Sequence, residues 1–266
     1  LVIFMIATPS LMLSSTGADT VQIVALVSIV AGIFVFVEYN SSSPSLIEFR
    51  DASPFNRVRF SGLAATVLAL TIIAKGATEP TTLTVLFNMV GSALAEAMDF
   101  PYSPVRLVVL ILPPEASASL IDNVRTAAGL SYLVSLLSLA FFVLVLRLNN
   151  WPNRRGGFNV WINLPTFDPT AGGDVVERLE RDGQLNLILG FLLPFLIPAF
   201  VKLASDMFNP IQLQDSHTLI WTMTAWAFIP ASMIMRGIAM LRVAQMIAVQ
   251  RENAYLRAQD DGGVLA

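Results

Sequence analysis

"TTLTVLFNMVGSALAEAM", Thr81 to Met98, is the stretch on which the topology turns. It is apolar and almost long enough to be read as a membrane span, which needs about 20 residues to cross ~30 Å of hydrocarbon. If it crossed, the chain would have to return before the next apolar run begins at Thr126. The material available for that return is "VRLVVLILPP", Val105 to Pro114, which is too short and closes on two prolines. The side-chain pattern agrees with this reading. Leu83, Leu86, Phe87, Val90, Leu94 and Met98 recur at helical spacing, while Thr84, Asn88, Ser92 and Glu96 take the other face. A helix with one apolar face lies in an interface better than it crosses. Residues 80–112 are therefore expected to form an amphipathic excursion on the outer face, flat or re-entrant, within a connection that runs from 77 to 125.

The rest of the chain fits a polytopic membrane protein. Of 266 residues 55% are hydrophobic and 13% charged, about half the charge of an ordinary soluble domain. Five runs are expected to cross: Val21–Tyr39, Ser61–Ala74, Thr126–Leu146, Leu185–Met207 and Thr218–Met240. The opening "LVIFMIATPSLML" lacks the basic region and cleavage site of a signal peptide, and is expected to be a partial sixth span.

Basic residues set the orientation. Twelve of the sixteen lie between or beyond the same ends of these spans: Arg50, Arg57, Arg59, Arg147, Arg154, Arg155, Arg178, Arg181, Arg236, Arg242, Arg251 and Arg257. The opposite connections hold Asp19, Glu79, Glu115, Asp122, Asp206 and Asp215 against Lys75, Arg106 and Arg125. Both termini are therefore expected in the cytoplasm of a bacterium, with the protein in the inner membrane.

Two cytoplasmic loops, 40–60 and 148–184, are expected to fold into a small cap. Phe158, Val160, Ile162 and Leu164 alternate with Asn159, Trp161 and Asn163 until Pro165, the period of a short strand. A lone strand leaves its backbone unpaired, so it calls for a partner. The segment "SLIEFR", Ser45 to Arg50, is one candidate and a neighbouring chain is another. After the turn-rich "FDPTAGGD", Asp174 is placed to cap a short helix over Val175–Asp182. The glycines are not a phosphate loop, because the P-loop pattern and a lysine are both missing there.

Reactive chemistry is sparse. With no cysteine and the single histidine His217, thiolate sites and multi-histidine metal centres are excluded. No cofactor is called for, although lipid, quinone or pigment held by apolar contact needs no histidine. Lys202 and Asp206, four residues apart near a span's outer end, are either a self-neutralising pair or an ion pathway beside a helix broken at Pro194 and Pro198. Gly129, Ser131, Ser135 and Ser138 make a small-residue stripe for helix contact. The arginines are interspersed with acids rather than massed, which argues against nucleic acid. The last helix is expected to run to about Gln259, with Val243, Met246 and Ile247 as an apolar stripe.

The expectation is thus an all-α protein in four parts. Residues 1–147 form the first membrane region, 148–184 the cap loop, 185–241 a transmembrane hairpin, and 242–266 a cytoplasmic extension. The leading function is a non-catalytic accessory or assembly subunit of a hetero-oligomeric membrane complex. It would meet other subunits and lipids through Phe158, Val160, Trp161, Ile162, Phe167, Val243, Met246 and Ile247. The alternative is a small transporter or channel using Lys202 and Asp206. Because the chain has no native cysteine, single cysteines at Glu115 and Arg155 are expected to react with an impermeant maleimide from opposite sides of sealed vesicles. Labelling of both from one side would overturn the topology.

Overall fold

The computed structural model describes residues 1–14, 17–51, 53–152, 159–168, 170, 172–207 and 213–263, the side chains of 53, 161, 206 and 260–263 excepted. The described residues form α1 (Val2–Met12), α2 (Ala18–Asn40), α3 (Ser53–Gly76), α4 (Thr82–Met98), α5 (Pro104–Val109), α6 (Ala118–Leu148), α7 (Val160–Asn163), α8 (Val175–Met207) and α9 (Ser216–Gly263). Five of them, α2, α3, α6, α8 and α9, are long and apolar enough to cross a membrane. α1 and α4 are shorter apolar helices.

α6 is the hub, packed against α3, α4, α5 and α9. α8 lies along α9, and α1 bridges α2 to α3 and α9. Buried apolar side chains gather in two clusters. One joins Val67, Val105, Val108, Val124, Ile220 and Met223. The other joins Phe49, Phe55, Phe142, Leu164, Phe167 and Met240. α4 and α5 sit with the first cluster, whereas the loop 41–51 and α7 sit with the second. The connection 77–125 and the two loops thus occupy opposite ends of the bundle.

α4 packs the reverse way from a soluble amphipathic helix. Its buried residues are Thr84, Gly91 and Ala95, while Leu83, Val85, Leu86, Met89 and Val90 are exposed. The small face is inside because the backbones come close. A side chain at Gly129 would place its Cβ 2.6 Å from the Ala95 Cα, and one at Gly91 would meet Thr126 and Ile73. Leucines turned outward are stable against hydrocarbon, not water. The segment is closed by Asp99, which pairs with Arg106 and, at 2.8 Å, with Arg125.

Two strand expectations fail. No strand occurs among the described residues, and Val160–Asn163 is one helical turn. Asn159 starts it by accepting the Ile162 N–H, and the Leu164 N–H closes on Val160 O at 2.8 Å. A single turn satisfies part of its own backbone locally, whereas a single strand satisfies none. The loop 45–50 forms turns as well.

The short helix expected over Val175–Asp182 is not separate. It continues into the following span as the 33-residue α8. Asp174 caps it, accepting from the N–H groups of Val176 and Glu177. The helix also runs through Pro194 and Pro198 rather than breaking. Proline at 198 has no N–H to offer Pro194 O four residues earlier. That carbonyl instead accepts from Trp226 Nε1 of α9, buried and 3.1 Å away. Gly183, Gly190 and Pro194 repeat at coiled-coil spacing along the same face, opposite Pro230, Gly237 and Leu241. A Cβ added at Gly190 would lie 2.7 Å from Pro230 O, and one at Gly237 2.7 Å from Gly183 O, so glycine sets how closely α8 and α9 approach.

Trp226→Phe is expected to lower stability by about 1–2 kcal/mol by orphaning a buried carbonyl. The loss should shrink in a Pro198→Ala background, where the backbone N–H is restored. Thermal unfolding in detergent of the four members of this cycle measures it.

Candidate functional site

The charged side chains that matter are gathered at the loop end. The loop 41–51 begins with Glu38, the last buried carboxylate of α2. It accepts from the N–H groups of Ser45, Leu46 and Ile47 at 3.0–3.1 Å and from the Ser45 hydroxyl at 2.7 Å. A glutamate that composition places at the membrane boundary is therefore the template for the loop that follows it. The loop then docks on α7: the Phe49 N–H donates to Asn163 O at 2.6 Å and the Asp51 N–H to Asn163 Oδ1 at 3.0 Å. The two loops do meet, through an asparagine rather than a ladder.

This docking brings Glu48 to the centre. Its carboxylate, 8% exposed, receives Arg236 in a two-point pair, Nε to Oε2 at 2.6 Å and Nη2 to Oε1 at 2.9 Å. Thr166 donates its hydroxyl to Oε1 at 2.7 Å. The pair joins the first loop, the α7–α8 loop and α9. Arg59 of α3 faces the same group electrostatically, and its guanidinium lies over the rings of Phe55, 4.9 Å from the centroid, and Phe228, at 5.9 Å. Its Nε is buried and has no hydrogen-bond partner among the described residues. Beside Arg59 a lateral cleft of about 870 Å³ opens between α1, α2 and α3.

The sequence-derived site residues are distributed differently. Val160 is half-buried against the second cluster, and Phe167 is inside it with Arg178 stacked on its ring at 4.7 Å. Ile162 is half-buried on α7. Val243 is fully buried, Met246 is nearly so, and Ile247 packs against them. Their apolar stripe packs against this chain's own α8 and loops. Phe158 and the side chain of Trp161 lie outside the described residues, as does the side chain of Asp206. Lys202 is half-buried near the far end of α8. With α8 unbroken, the transporter alternative loses the interrupted helix it relied on. The stripe of Ser131 and Ser135 back-bonds to its own helix, at Ala127 O and Tyr132 O, and serves contact. His217 lies in the first turn of α9, two residues from Asp215. Among the described residues no group of three or more histidines or acids is arranged to hold a metal.

Sequence reasoning missed the Glu48–Arg236 pair. A carboxylate among the apolar Leu46, Ile47 and Phe49 was the one signal, but its partner lies 188 residues away. Comparison with protein families, with curated proteins and with solved structures finds no match to this chain.

Glu48→Gln is expected to cost on the order of 2–4 kcal/mol, below the fully buried limit because Arg236 is partly exposed. Adding Arg236→Met should recover part of the loss, since the uncompensated cation is then gone. Equal stability of wild type and Glu48→Gln in chemical unfolding would show that the pair ties nothing together.

Proposed function

We propose that this chain is a non-catalytic accessory or assembly subunit of a larger complex of the bacterial inner membrane, with both termini cytoplasmic and the loops at 41–51 and 149–174 forming a cytoplasmic cap. The orientation rests on the arginines, which cluster at the end of the bundle where the two loops meet. The reading is carried by α9. Its 48 residues amount to about 72 Å of helix at 1.5 Å per residue, more than twice the ~30 Å hydrocarbon thickness. α8 accompanies this extension as far as the pair between Asp174 and Arg251. That pair holds the Asp174 carboxyl below its usual range, chiefly through the Arg251 guanidinium and then the Val176 N–H.

Beyond Arg251 every described side chain to Gln259 is exposed, among them Tyr255 and Leu256, 72% and 53% accessible. An uncovered helix end that exposes an aromatic and an aliphatic side chain is suited to lie against another subunit. The docking surface moves outward from the stripe at 243–247, which this chain covers itself, to the tip at 255–256. α2 is the second candidate contact, because it packs on α1 and on no other described helix.

Under mild detergent the tagged wild-type chain is expected to co-purify with one or more membrane subunits in fixed stoichiometry. Tyr255→Asp with Leu256→Asp should abolish this at unchanged abundance. Isolation of the wild type as a stable, monodisperse single species would overturn the proposal.

A further inference from the structure

The lateral cleft beside Arg59 has the features of a built site for an anionic amphiphile. Its walls change character along its length. Ile3, Val35 and Leu63 line it along the helices, and Arg57, Arg59 and Asn56 line it toward the loop end. Gly32 lets α1 press into α2, since an added Cβ there would lie 2.6 Å from Ile3 Cγ1. α2 makes no helix contact with α3, so the cleft opens sideways between two helices that are each long and apolar enough to cross a membrane. A solute reaching it from the side comes through hydrocarbon. At about 870 Å³ it falls in the 300–1,000 Å³ range of ligand clefts.

Charge selects the occupant. Glu48 is already engaged by two Arg236 nitrogens and the Thr166 hydroxyl. Two cations, Arg59 and the exposed Arg57, line the loop end of the cleft together with Glu48, whose carboxylate is matched by Arg236, so the arginines leave that end net positive. The rings of Phe55 and Phe228 hold the Arg59 guanidinium in place but accept none of its N–H groups in the plane, and Nε stays without a partner. Nε itself is shielded from the cleft, so it is the partly exposed remainder of the Arg59 guanidinium that lines the cleft, and a guanidinium is matched by a phosphate. Arg59 is six residues from the start of α3, about 9 Å along the axis, which is the depth of lipid headgroups if the helix begins at the interface. Basic pockets between membrane helices are recognised headgroup sites.

We infer that this cleft binds one anionic glycerophospholipid, its phosphate on Arg59 with Arg57 at the rim and an acyl chain along Ile3, Val35 and Leu63.

The test uses the purified full chain, delipidated in detergent and then offered dioleoylphosphatidylglycerol or dioleoylphosphatidylcholine. Native mass spectrometry should show one phosphatidylglycerol per chain, retained at least tenfold better than phosphatidylcholine. Arg59→Gln should lose that preference, and Leu63→Trp, which fills the cleft while keeping the arginine, should lose retention of both. If Arg59→Gln does not fold, Leu63→Trp carries the test. Equal retention of the two lipids, or wild-type behaviour in both variants, overturns the inference. So does protection by inorganic phosphate as strong as by phosphatidylglycerol, which would mark a free-anion site.

Discussion

A carboxylate that belongs to a mostly apolar chain has to be neutralised where it lies, and Glu48 meets that demand in a way that ties three parts of the sequence together. Its two oxygens take Arg236 from the last helix and Thr166 from the loop before α8. In water such a pair contributes little; withdrawn from it, each partner becomes obligatory for the other. Phe49, Phe55, Phe142 and Phe167 belong to the second buried cluster at the same end of the bundle. The loop end of the bundle is therefore ordered by one ion pair, set in an apolar surround, with Glu38 and Asn163 supplying the acceptors that shape the loops.

The same accounting explains the pairing of α8 with α9. Prolines inside a span release carbonyls that hydrocarbon cannot satisfy. In α8 the carbonyl released by Pro198 is met by an indole N–H from the neighbouring helix, and glycines on both helices allow the close approach beside it. Proline and glycine here are packing devices, and the helix stays continuous. The connection 77–125 follows a related logic: the glycine and alanine face of α4 turns to α6, and Leu83 and Leu86 turn out.

How much of this was legible beforehand differs element by element. The long apolar runs, the Asp174 cap and the opposite placement of residues 77–125 all follow from local composition and charge. The strand at 158–164 misled because a period of two over a few residues does not distinguish a strand from a turn whose alternate side chains happen to be apolar. The stripe at Val243, Met246 and Ile247 is a different case. An amphipathic face says that something covers it, but not whether the cover belongs to the same chain. Here α8 and the loops do so, and Tyr255 and Leu256 lie past the end of that cover.

The sequence by itself determined that the chain is helical and apolar over at least five membrane-length stretches, that arginine collects between the same ends of them, and that thiol and multi-histidine chemistry is absent. Those properties depend on residues close together in the chain, or on simple counts. Only the tertiary structure decided that Glu48 meets Arg236, that Trp226 satisfies the carbonyl Pro198 leaves free, and that Arg59 faces an open cleft with its Nε unpartnered among the described residues. Each of these depends on side chains far apart in sequence, whose meeting is set by how closely helices approach, and no local pattern encodes that distance.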